Sequence, residues 1–462
     1  MTMTPQELVE HALATSTADD CIAFARVETS ANLRWANNTL TTNGVMTGVE
    51  VTVIAFVAGV DGIATGSVSG NAVTAAQVEE LVRAAGRAAR EAEPAEDATD
   101  LVLGRVSERW SQPPEETGIE VFADFATALG KEFERADMEG RVLYGFVSHE
   151  VATTYLGSTR GLRLRHVQPT GHYGCTGKDA TLTRSAWVGG ATRDFTDVDA
   201  HRLADEVVQR LAWARQRTEL PAGRYQTILP PTAVADLMID AYWGAGARVA
   251  LEGESVYSRR GGGTRVGERI AKAGVNMWSD PGHQAIQAAP FVIAGASDNT
   301  ESVFDNGLEL HRTDWIRDGV LTSLVQTRHS ARLTEQPVTP GIDNLGLTID
   351  GATGTLSDLV ARTERGLLVT CLWYIREVDP QSMLLTGLTR DGVYVVEDGQ
   401  IAGAVNNFRF NESPIGLLNR FDDCSESMPS FSREWGDDYF SRTITPALRI
   451  PDFNMSSVSQ GV

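Results

Sequence analysis

The chain has 462 residues, of which 42% are hydrophobic and 22% charged, and its formal net charge is −21. This composition is typical of a globular protein, and the length suits roughly two to four domains. Because so acidic a surface repels phosphate backbones and anionic lipids, we expect neither nucleic acid nor a membrane as a partner. The first residues lack the basic start and apolar core of a signal peptide, so we expect a cytoplasmic protein.

The cysteines indicate no disulfide framework and no redox motif. Cys21, Cys175, Cys371 and Cys424 are scattered along the chain, and none belongs to a Cys-x-x-Cys pair. In a cytoplasmic chain long enough to bury its own core, we expect them to be small buried hydrophobic residues.

The first segment, residues 1–97, predicts a curled antiparallel sheet with a helix on one face. Thr74-Ala-Ala-Gln77 is a capping-box pattern, and apolar residues from Val78 to Ala89 follow it at helical spacing. An acidic linker, residues 91–97, ends the segment. Runs rich in β-branched residues and bounded by glycine predict the strands Cys21–Glu28, Asn32–Ala36, Gly48–Gly59 and Gly62–Val68.

The second segment, residues 113–219, predicts another α+β unit. Apolar residues from Ile119 to Phe133 recur at helical spacing, and a second helix is predicted from Thr196 or Asp197 to Gln216. The strands predicted between the two helices are Arg141–Ser148, Thr153–Gly157, Leu162–Pro169 and Ala180–Gly189.

The third segment, residues 224–462, predicts a β-rich, barrel-like domain that begins with a helix. Pro230-Pro231 starts this helix, and Gly244-Ala-Gly246 interrupts it. Asp-Gly turns at Asp391 and Asp398 separate late strands. These strands are Leu367–Val378, Val393–Glu397 and Ile401–Phe408. The predicted fold class is therefore α+β, with antiparallel sheets and amphipathic helices ahead of a β-rich C-terminal domain.

The residues alone reveal no catalytic apparatus. A helical zinc site needs two histidines about one turn apart, and no two of the eight histidines have that spacing. His149-Glu150 begins like such a motif but lies in a strand-like run. There is no Gly-x-Ser-x-Gly elbow, and the carboxylates around Cys424 make its thiolate scarce.

One glycine-rich loop suggests binding. Three glycines lie between arginines in the stretch from Arg259 to Arg265. Their backbone amides could meet an anion or a peptide carboxylate. The alternative is a mobile loop without a ligand.

The third segment resembles the TldD/PmbA family of bacterial and archaeal peptidases. The resemblance is carried by short pieces in a shared order, spread over most of the C-terminal half and weaker around residues 37–53. The pieces are Leu251-Glu-Gly-Glu254, Arg265-Val-Gly-Glu-Arg-Ile270, Asp305-Asn-Gly307, Arg317-Asp-Gly-Val-Leu321, residues 389–399, residues 406–413 and Pro446-Ala-Leu-Arg-Ile450.

In this family, the TldD-type chain carries His-Glu-x-x-x-His, whose histidines bind zinc with a later cysteine and whose glutamate is the general base. The resemblance places these three motif positions on Gly244, Ala245 and Val249. None can ligate a metal or move a proton, and Cys424 falls roughly where the cysteine ligand lies. The pattern therefore resembles the PmbA (TldE) branch.

For this chain, the resemblance implies a metal-free subunit that pairs with a TldD-type zinc peptidase and encloses a chamber for small or unfolded peptides. Zinc is expected in the partner and no cofactor in this chain, and a homodimer is possible in isolation. Two other hypotheses stay open. The chain could be a peptide-binding or scaffolding protein, or an autonomous hydrolase that uses Glu252 and Glu254 with His283 or His311.

No catalytic residue is assigned. Trp243 is expected to pack its helix, and Trp373 and Tyr374 are expected mainly in core packing, with a chamber-lining role as the alternative. The candidate contacts for a peptide or partner are Arg259, Arg260, Gly262, Arg376 and Arg390.

Overall fold

A computed structural model describes residues 2–436 and 442–459. None of the helices in these ranges is long and apolar enough to span a membrane. The α-helices are α1 (Pro5–Thr15), α2 (Ala75–Glu91), α3 (Ala123–Met138), α4 (Ala200–Trp213), α5 (Pro231–Trp243), α6 (Ala247–Leu251), α7 (Arg328–Thr334), α8 (Leu356–Ala361) and α9 (Pro414–Arg420). Short 3₁₀ turns cover Ile119–Phe122 and Val303–Asp305.

The first two predicted segments share one antiparallel sheet with the strand order β3-β2-β1-β4-β5-β6. The pairing of β1 with β4 joins the segments, and their boundaries as domains stay a prediction. These strands are β1 (Asp20–Ala36), β2 (Thr39–Ala58), β3 (Ile63–Asn71), β4 (Arg141–Ser158), β5 (Arg163–Asp179) and β6 (Ser185–Thr192).

The two faces of this sheet have different neighbours. Along one face of β1, Cys21, Ala23 and Ala25 pack with α1 and α2, while Leu33 and Trp35 pack with α3 and α4. On the opposite face, Ile22 belongs to an apolar cluster with residues of the third segment. Within that cluster, the rings of Phe56 and Phe304 meet edge to face with their centroids 5.1 Å apart. One face therefore carries helices, and the other faces the C-terminal part of the chain.

The third segment contributes two open sheets. The strand order is β11-β10-β9-β12-β21-β20 in one and β14-β15-β18-β22-β8-β13-β16-β17-β7 in the other, where β19 also pairs with β22. The strands are β7 (Arg217–Thr218), β8 (Gly223–Leu229), β9 (Val275–Ser279), β10 (Thr313–Arg317), β11 (Val320–Leu321), β12 (Leu345–Ile349), β13 (Arg365–Val369), β14 (Leu372–Asp379), β15 (Leu384–Thr389), β16 (Val393–Glu397), β17 (Gln400–Val405), β18 (Asn407–Glu412), β19 (Asp423–Cys424), β20 (Met428–Phe431), β21 (Arg442–Thr445) and β22 (Leu448–Ser459).

The α+β fold class and the β-rich third segment are confirmed. Over the described ranges, however, no sheet closes into a barrel, so the barrel-like shape is corrected to open, mixed sheets. Helix α5 lies in the largest apolar cluster, and nine of its 13 residues are buried. At the C-terminal end of α5, Tyr242 is buried and Trp243 is exposed, directly before the positions that the sequence singled out.

Candidate functional site

The helix that should carry the family's metal motif breaks at the expected place. Pro231 starts α5, and the chain leaves the helix at Gly244 before α6 begins at Ala247. The break is fixed by backbone hydrogen bonds to a neighbouring segment. The Ala247 amide donates to the Val325 carbonyl at 2.9 Å, and the Val325 amide donates to the Ala245 carbonyl at 2.8 Å.

The three predicted motif positions do not fit a metal. Gly244 has no side chain, and the Met383 methyl group fills the space where one would project. Ala245 is 1% exposed and belongs to the main apolar cluster. Val249 is half-buried and aliphatic, next to Gly246. These residues offer no donor atom, and among residues 2–436 and 442–459 no three His, Cys, Asp or Glu side chains are grouped to hold a metal.

Cys424 lies on β19, where it pairs with Leu448 of β22. Its amide donates to the Asp423 carboxylate at 2.8 Å. Partial burial and the neighbouring Asp423 charge raise the pKa of the Cys424 thiol. The other three cysteines are buried, as expected.

Two residues of the hydrolase hypothesis each contact a side chain outside the proposed set. Glu252 accepts a hydrogen bond from Arg248 at 3.0 Å, and His283 packs against Trp278 with ring centroids 5.2 Å apart. His149 lies in strand β4, as predicted, where its two ring nitrogens meet the Thr117 hydroxyl and the Arg193 carbonyl, both at 2.7 Å. These contacts give His149 a structural role.

A pair of buried carboxylates on α5 was not singled out from the sequence. Asp236 and Asp240 are four residues apart and therefore lie on the same face of the helix. The Asp236 Oδ1 atom accepts bonds from the Ser432 hydroxyl at 2.9 Å and the Glu434 amide at 3.0 Å. The Oδ2 atoms of both aspartates are buried and have no hydrogen-bond partner in the described residues. Two aspartates at this spacing in an apolar helix are the signal that could have revealed the pair.

Burial shifts the titration of both carboxyl groups. Burial raises the pKa of Asp236 to about 7, against opposing hydrogen bonds from Glu434 and Ser432. Burial and the neighbouring Asp236 raise the pKa of Asp240 to about 8. At neutral pH, the pair therefore holds protons that exposed aspartates would have lost.

An arginine between two tryptophans lies beside this acid pair. The Arg433 guanidinium carbon is 3.2 Å from the ring centroid of Trp373 and 4.7 Å from that of Trp187. Trp187 belongs to β6 of the N-terminal sheet and Trp373 to β14 of the C-terminal domain. Arg433 therefore connects the two halves of the molecule. Tyr374, next to Trp373, is exposed rather than part of the core.

A cavity of about 130 Å³ adjoins the break between α5 and α6. Trp243 and Tyr242, the last residues of α5, form part of its wall, together with Phe291. Trp243 also packs on Trp435 with ring centroids 4.9 Å apart, so it both supports its helix and faces the cavity. Three carboxylates, those of Glu301, Asp305 and Asp343, also line this space.

The structure gathers three of the five predicted contact residues in one groove. Arg259, Arg260 and Gly262 line an open groove of about 920 Å³, in which Gly262 has a φ of +114°. Arg259 is bound to Glu268 at 2.9 Å, whereas Arg260 makes no hydrogen bond or ion pair to the described part of the chain.

The other two arginines of the predicted set lie elsewhere, near β14. The Arg376 Nη1 atom donates to the carbonyl of Ile375 at 2.6 Å. The Arg390 guanidinium lies 5.5 Å from the Trp373 ring centroid. Neither of these two arginines lines the groove that contains Arg259, Arg260 and Gly262.

Comparison with solved structures identifies the fold. TldE from Thermococcus kodakarensis is similar over 97% of this chain and 99% of that chain, with a TM-score of 0.75 and 16% identity. A putative modulator of DNA gyrase from Thermotoga maritima gives the same values. Another from Bacteroides thetaiotaomicron has a TM-score of 0.71 and 15% identity, with 98% of both chains covered. No curated protein sequence matches this chain.

Residues 222–457 match the family model of the PmbA/TldA metallopeptidase C-terminal domain. This match spans just over half of the chain and includes the break between α5 and α6. The chain therefore belongs to the PmbA/TldD family of metallopeptidase-like proteins.

Proposed function

We propose that this chain is the metal-free, cytoplasmic subunit of a TldD/TldE-type zinc peptidase. It assembles with a TldD-type chain that carries the zinc, and the two chains together enclose a chamber in which small or unfolded peptides are cleaved. This chain supplies walls of the chamber and the contact with its partner, but no catalytic residue.

One observation carries the proposal. At the position of the first zinc-binding histidine of the resemblance, Gly244 leaves a space that the Met383 methyl group fills. The general-base position, Ala245, points into the apolar core, where an ionised glutamate would be strongly disfavoured. The packing of this domain thus suits the residues that replaced the motif.

The proposal is tested by reconstitution. This chain and a TldD-type chain from the same genome are purified separately and mixed, and native mass spectrometry then reads the stoichiometry of the mixture. Zinc is counted per chain by elemental analysis, and cleavage of an unstructured peptide is followed by liquid chromatography. We expect a heteromeric complex, zinc that travels only with the partner, and cleavage only in the mixture.

A matched control shows which of the two chains carries out the cleavage. Replacing the glutamate of the partner's His-Glu-x-x-x-His by glutamine should abolish cleavage without dissolving the complex. Cleavage by this chain alone with added zinc would overturn the proposal. A complex or a bound peptide without any cleavage would instead favour the scaffolding hypothesis.

A further inference from the structure

The first half of strand β2 has a long outer edge. Residues 39–49 pair with β1 on one side. On the other side, β3 begins to pair with β2 only at Glu50, and no other strand in the described ranges extends the sheet before that residue. We call residues 39–49 of β2 the free edge. Its outward backbone N–H and C=O groups form a row that another strand can bind.

The free edge lacks the features that usually prevent strands from pairing between molecules. Native proteins protect such an edge with charged side chains, proline or a β-bulge. The free edge, Thr-Leu-Thr-Thr-Asn-Gly-Val-Met-Thr-Gly-Val, contains no charged residue and no proline, although 22% of the whole chain is charged. The register irregularity between β1 and β2 lies close to the hairpin turn, at Arg34 and Trp35, so the pairing is regular from Thr42 onward. The edge is therefore suited to accept another strand.

Apolar side chains are exposed on both faces of the sheet at this edge. Val45 is 51% exposed and Met46 is 66% exposed. Because they are neighbours in a strand, they project from opposite faces. Val45 lies opposite Ala31 of β1, which belongs to the apolar cluster that contains α3 and α4, whereas Met46 lies opposite Ser30. A strand added to the free edge would cover Val45 on the helix-bearing face and Met46 on the other face.

The charge of the chain favours a second copy of itself as the occupant of this edge. Two copies each carry a formal net charge of −21, so they repel each other across most of their surfaces. Along the uncharged free edge, this repulsion is weakest. A second copy also brings an identical free edge, and two identical edges that pair antiparallel about a two-fold axis are complementary to each other.

Symmetry narrows the register of such a pairing. A two-fold axis perpendicular to the sheet keeps each face on its own side, so residues that lie opposite each other must be an even number of positions apart. The register centred on Val45 keeps the pairing almost entirely within the regular stretch. It places Val45 opposite Val45 of the second copy and Met46 opposite Gly44 of the second copy, where no side chain competes for space. Residues 41–49 would then form about nine backbone hydrogen bonds, close to the roughly ten of a typical interface.

We infer that the free edge of β2 pairs antiparallel with the free edge of a second copy of this chain. The product is a two-fold dimer in which the N-terminal sheets of the two copies join into one continuous sheet. Backbone hydrogen bonds hold the two edges together, and Val45 and Met46 supply the apolar contacts. The inference goes beyond the proposed function and does not rest on it, because it concerns this chain alone.

The test is the molar mass of the full chain in solution without a partner, measured by analytical ultracentrifugation over the micromolar range. The variants are Val45→Glu and Val45→Lys, measured separately and then as an equimolar mixture. Val60→Glu is the matched control, because Val60 is an exposed valine between β2 and β3, outside the free edge. Far-ultraviolet circular dichroism checks that each variant keeps the fold.

We expect the natural protein and Val60→Glu to be dimers. Val45→Glu and Val45→Lys should each raise the dissociation constant of the dimer at least about 100-fold, since like charges that face each other across an interface strongly oppose binding. The equimolar mixture should form a dimer again, because glutamate then faces lysine. In the natural protein, amide hydrogen exchange within residues 41–49 should be slower at high than at low protein concentration.

A natural protein that stays monomeric over this range would overturn the inference. A dimer that both Val45 variants leave intact would also overturn it, because the interface would then lie elsewhere. If the natural protein is monomeric and Val45→Glu weakens its complex with a TldD-type chain, the free edge belongs to that partner instead. A failure of the reconstituted pair to cleave peptides would overturn the proposed function and leave the dimer standing.

Discussion

The Met383 methyl group lies where a side chain at position 244 would begin. A Cβ atom at position 244 would lie less than 3.0 Å from this methyl carbon, which is a steric clash. Met383 is 1% exposed, so its side chain packs within the core of the domain. The absence of a side chain at position 244 therefore allows Met383 to pack in this space.

This arrangement predicts that Gly244→Ala destabilises the protein. The backbone of Gly244 is right-handed helical, with a φ of −71°, so alanine is not strained there. The cost comes from displacing Met383, and because that side chain is flexible, we expect about 1 kcal/mol of unfolding free energy. Urea unfolding followed by circular dichroism measures it.

Gly130→Ala is the matched control for this substitution. Gly130 lies in helix α3, and an added Cβ would meet no atom within 4 Å. Alanine should therefore stabilise the protein there by roughly 0.4–1 kcal/mol. If Gly244→Ala is as stabilising as the control, Met383 does not block position 244.

A second glycine predicts a larger effect for a related reason. A Cβ atom on Gly66 of β3 would meet the backbone of Ala85 and Ala89 in α2, and backbone cannot rotate away as Met383 can. We expect Gly66→Ala to cost about 3 kcal/mol, since α2 must lift from the sheet. Thermal and urea unfolding should show that Gly66→Ala is much less stable than Gly244→Ala. The reverse ranking would contradict this account of both sites.

Local patterns in the sequence predicted four of the nine α-helices in the described ranges, α2 to α5. Helix α2 begins after Thr74, whose amide donates to the Gln77 side chain at 3.1 Å, as its capping-box pattern indicated. Helix α5 begins at Pro231 and ends before Gly244, also as predicted. Helix α1 was missed, although Thr4 and Glu7 form the same kind of capping box. These signals lie within a few residues of each other and can be read without the rest of the fold.

Long-range pairing could not be predicted in the same way. The sequence predicted two short strands within residues 21–36, where the structure has a single strand, β1. The polar residues between the two runs stay in the strand because β2 and β4 pair with it on both sides. Closure of a sheet likewise depends on distant partners, which is why the barrel-like expectation was wrong. Glu301 and Asp343 were missed because only the fold brings them together.

The acid pair on α5 predicts a loss of stability as pH rises. The ordinary pKa of an aspartate is 3.8, while Asp236 and Asp240 titrate at about 7 and about 8 in the fold. Between these values, the folded protein holds protons that the unfolded chain has released. The contribution to stability is complete below about pH 4 and is lost as pH rises toward 8.

Asp240→Asn should remove part of this dependence. The asparagine keeps the shape of the side chain and has no charge to bury. The stability of the variant relative to the natural protein should therefore increase between pH 5 and pH 8. We expect this increase in the unfolding free energy to exceed about 1 kcal/mol, which corresponds to a change in pKa of less than one unit. Urea unfolding at the two pH values measures it, with the exposed Asp61→Asn as control. Parallel pH dependence in the two variants would disprove the assignment.

The groove around Arg260 predicts a binding effect without a stability effect. Arg260 has no partner in the described chain, so Arg260→Ala should change the unfolding free energy by less than about 0.5 kcal/mol. If this groove meets the TldD-type partner or the peptide, the variant should weaken the complex, and the weakening should shrink at high salt. Calorimetry at two salt concentrations measures this, with Arg87→Ala on α2 as an exposed control. Unchanged affinity for both ligands would remove Arg260 from the set of contacts.

Arg433 predicts that the two halves of the molecule are coupled through one side chain. Its guanidinium stacks between Trp187 of the N-terminal sheet and Trp373 of the C-terminal domain, and burial lowers its pKa. Arg433→Ala removes two cation–π contacts and leaves a space between the indoles, so we expect a loss of about 2–4 kcal/mol.

Arg433→Lys tests whether the charge of Arg433 or its planar guanidinium group provides the stability. Lysine keeps the charge but has no planar group to stack on two rings. The stability of this variant should therefore lie between that of the natural protein and that of Arg433→Ala. Urea unfolding gives the free energies, and near-ultraviolet circular dichroism reports the packing of the indoles. The exposed Arg87→Ala controls for loss of a surface arginine. Were Arg433→Ala as stable as Arg87→Ala, with an unchanged aromatic spectrum, Arg433 would not connect the two halves.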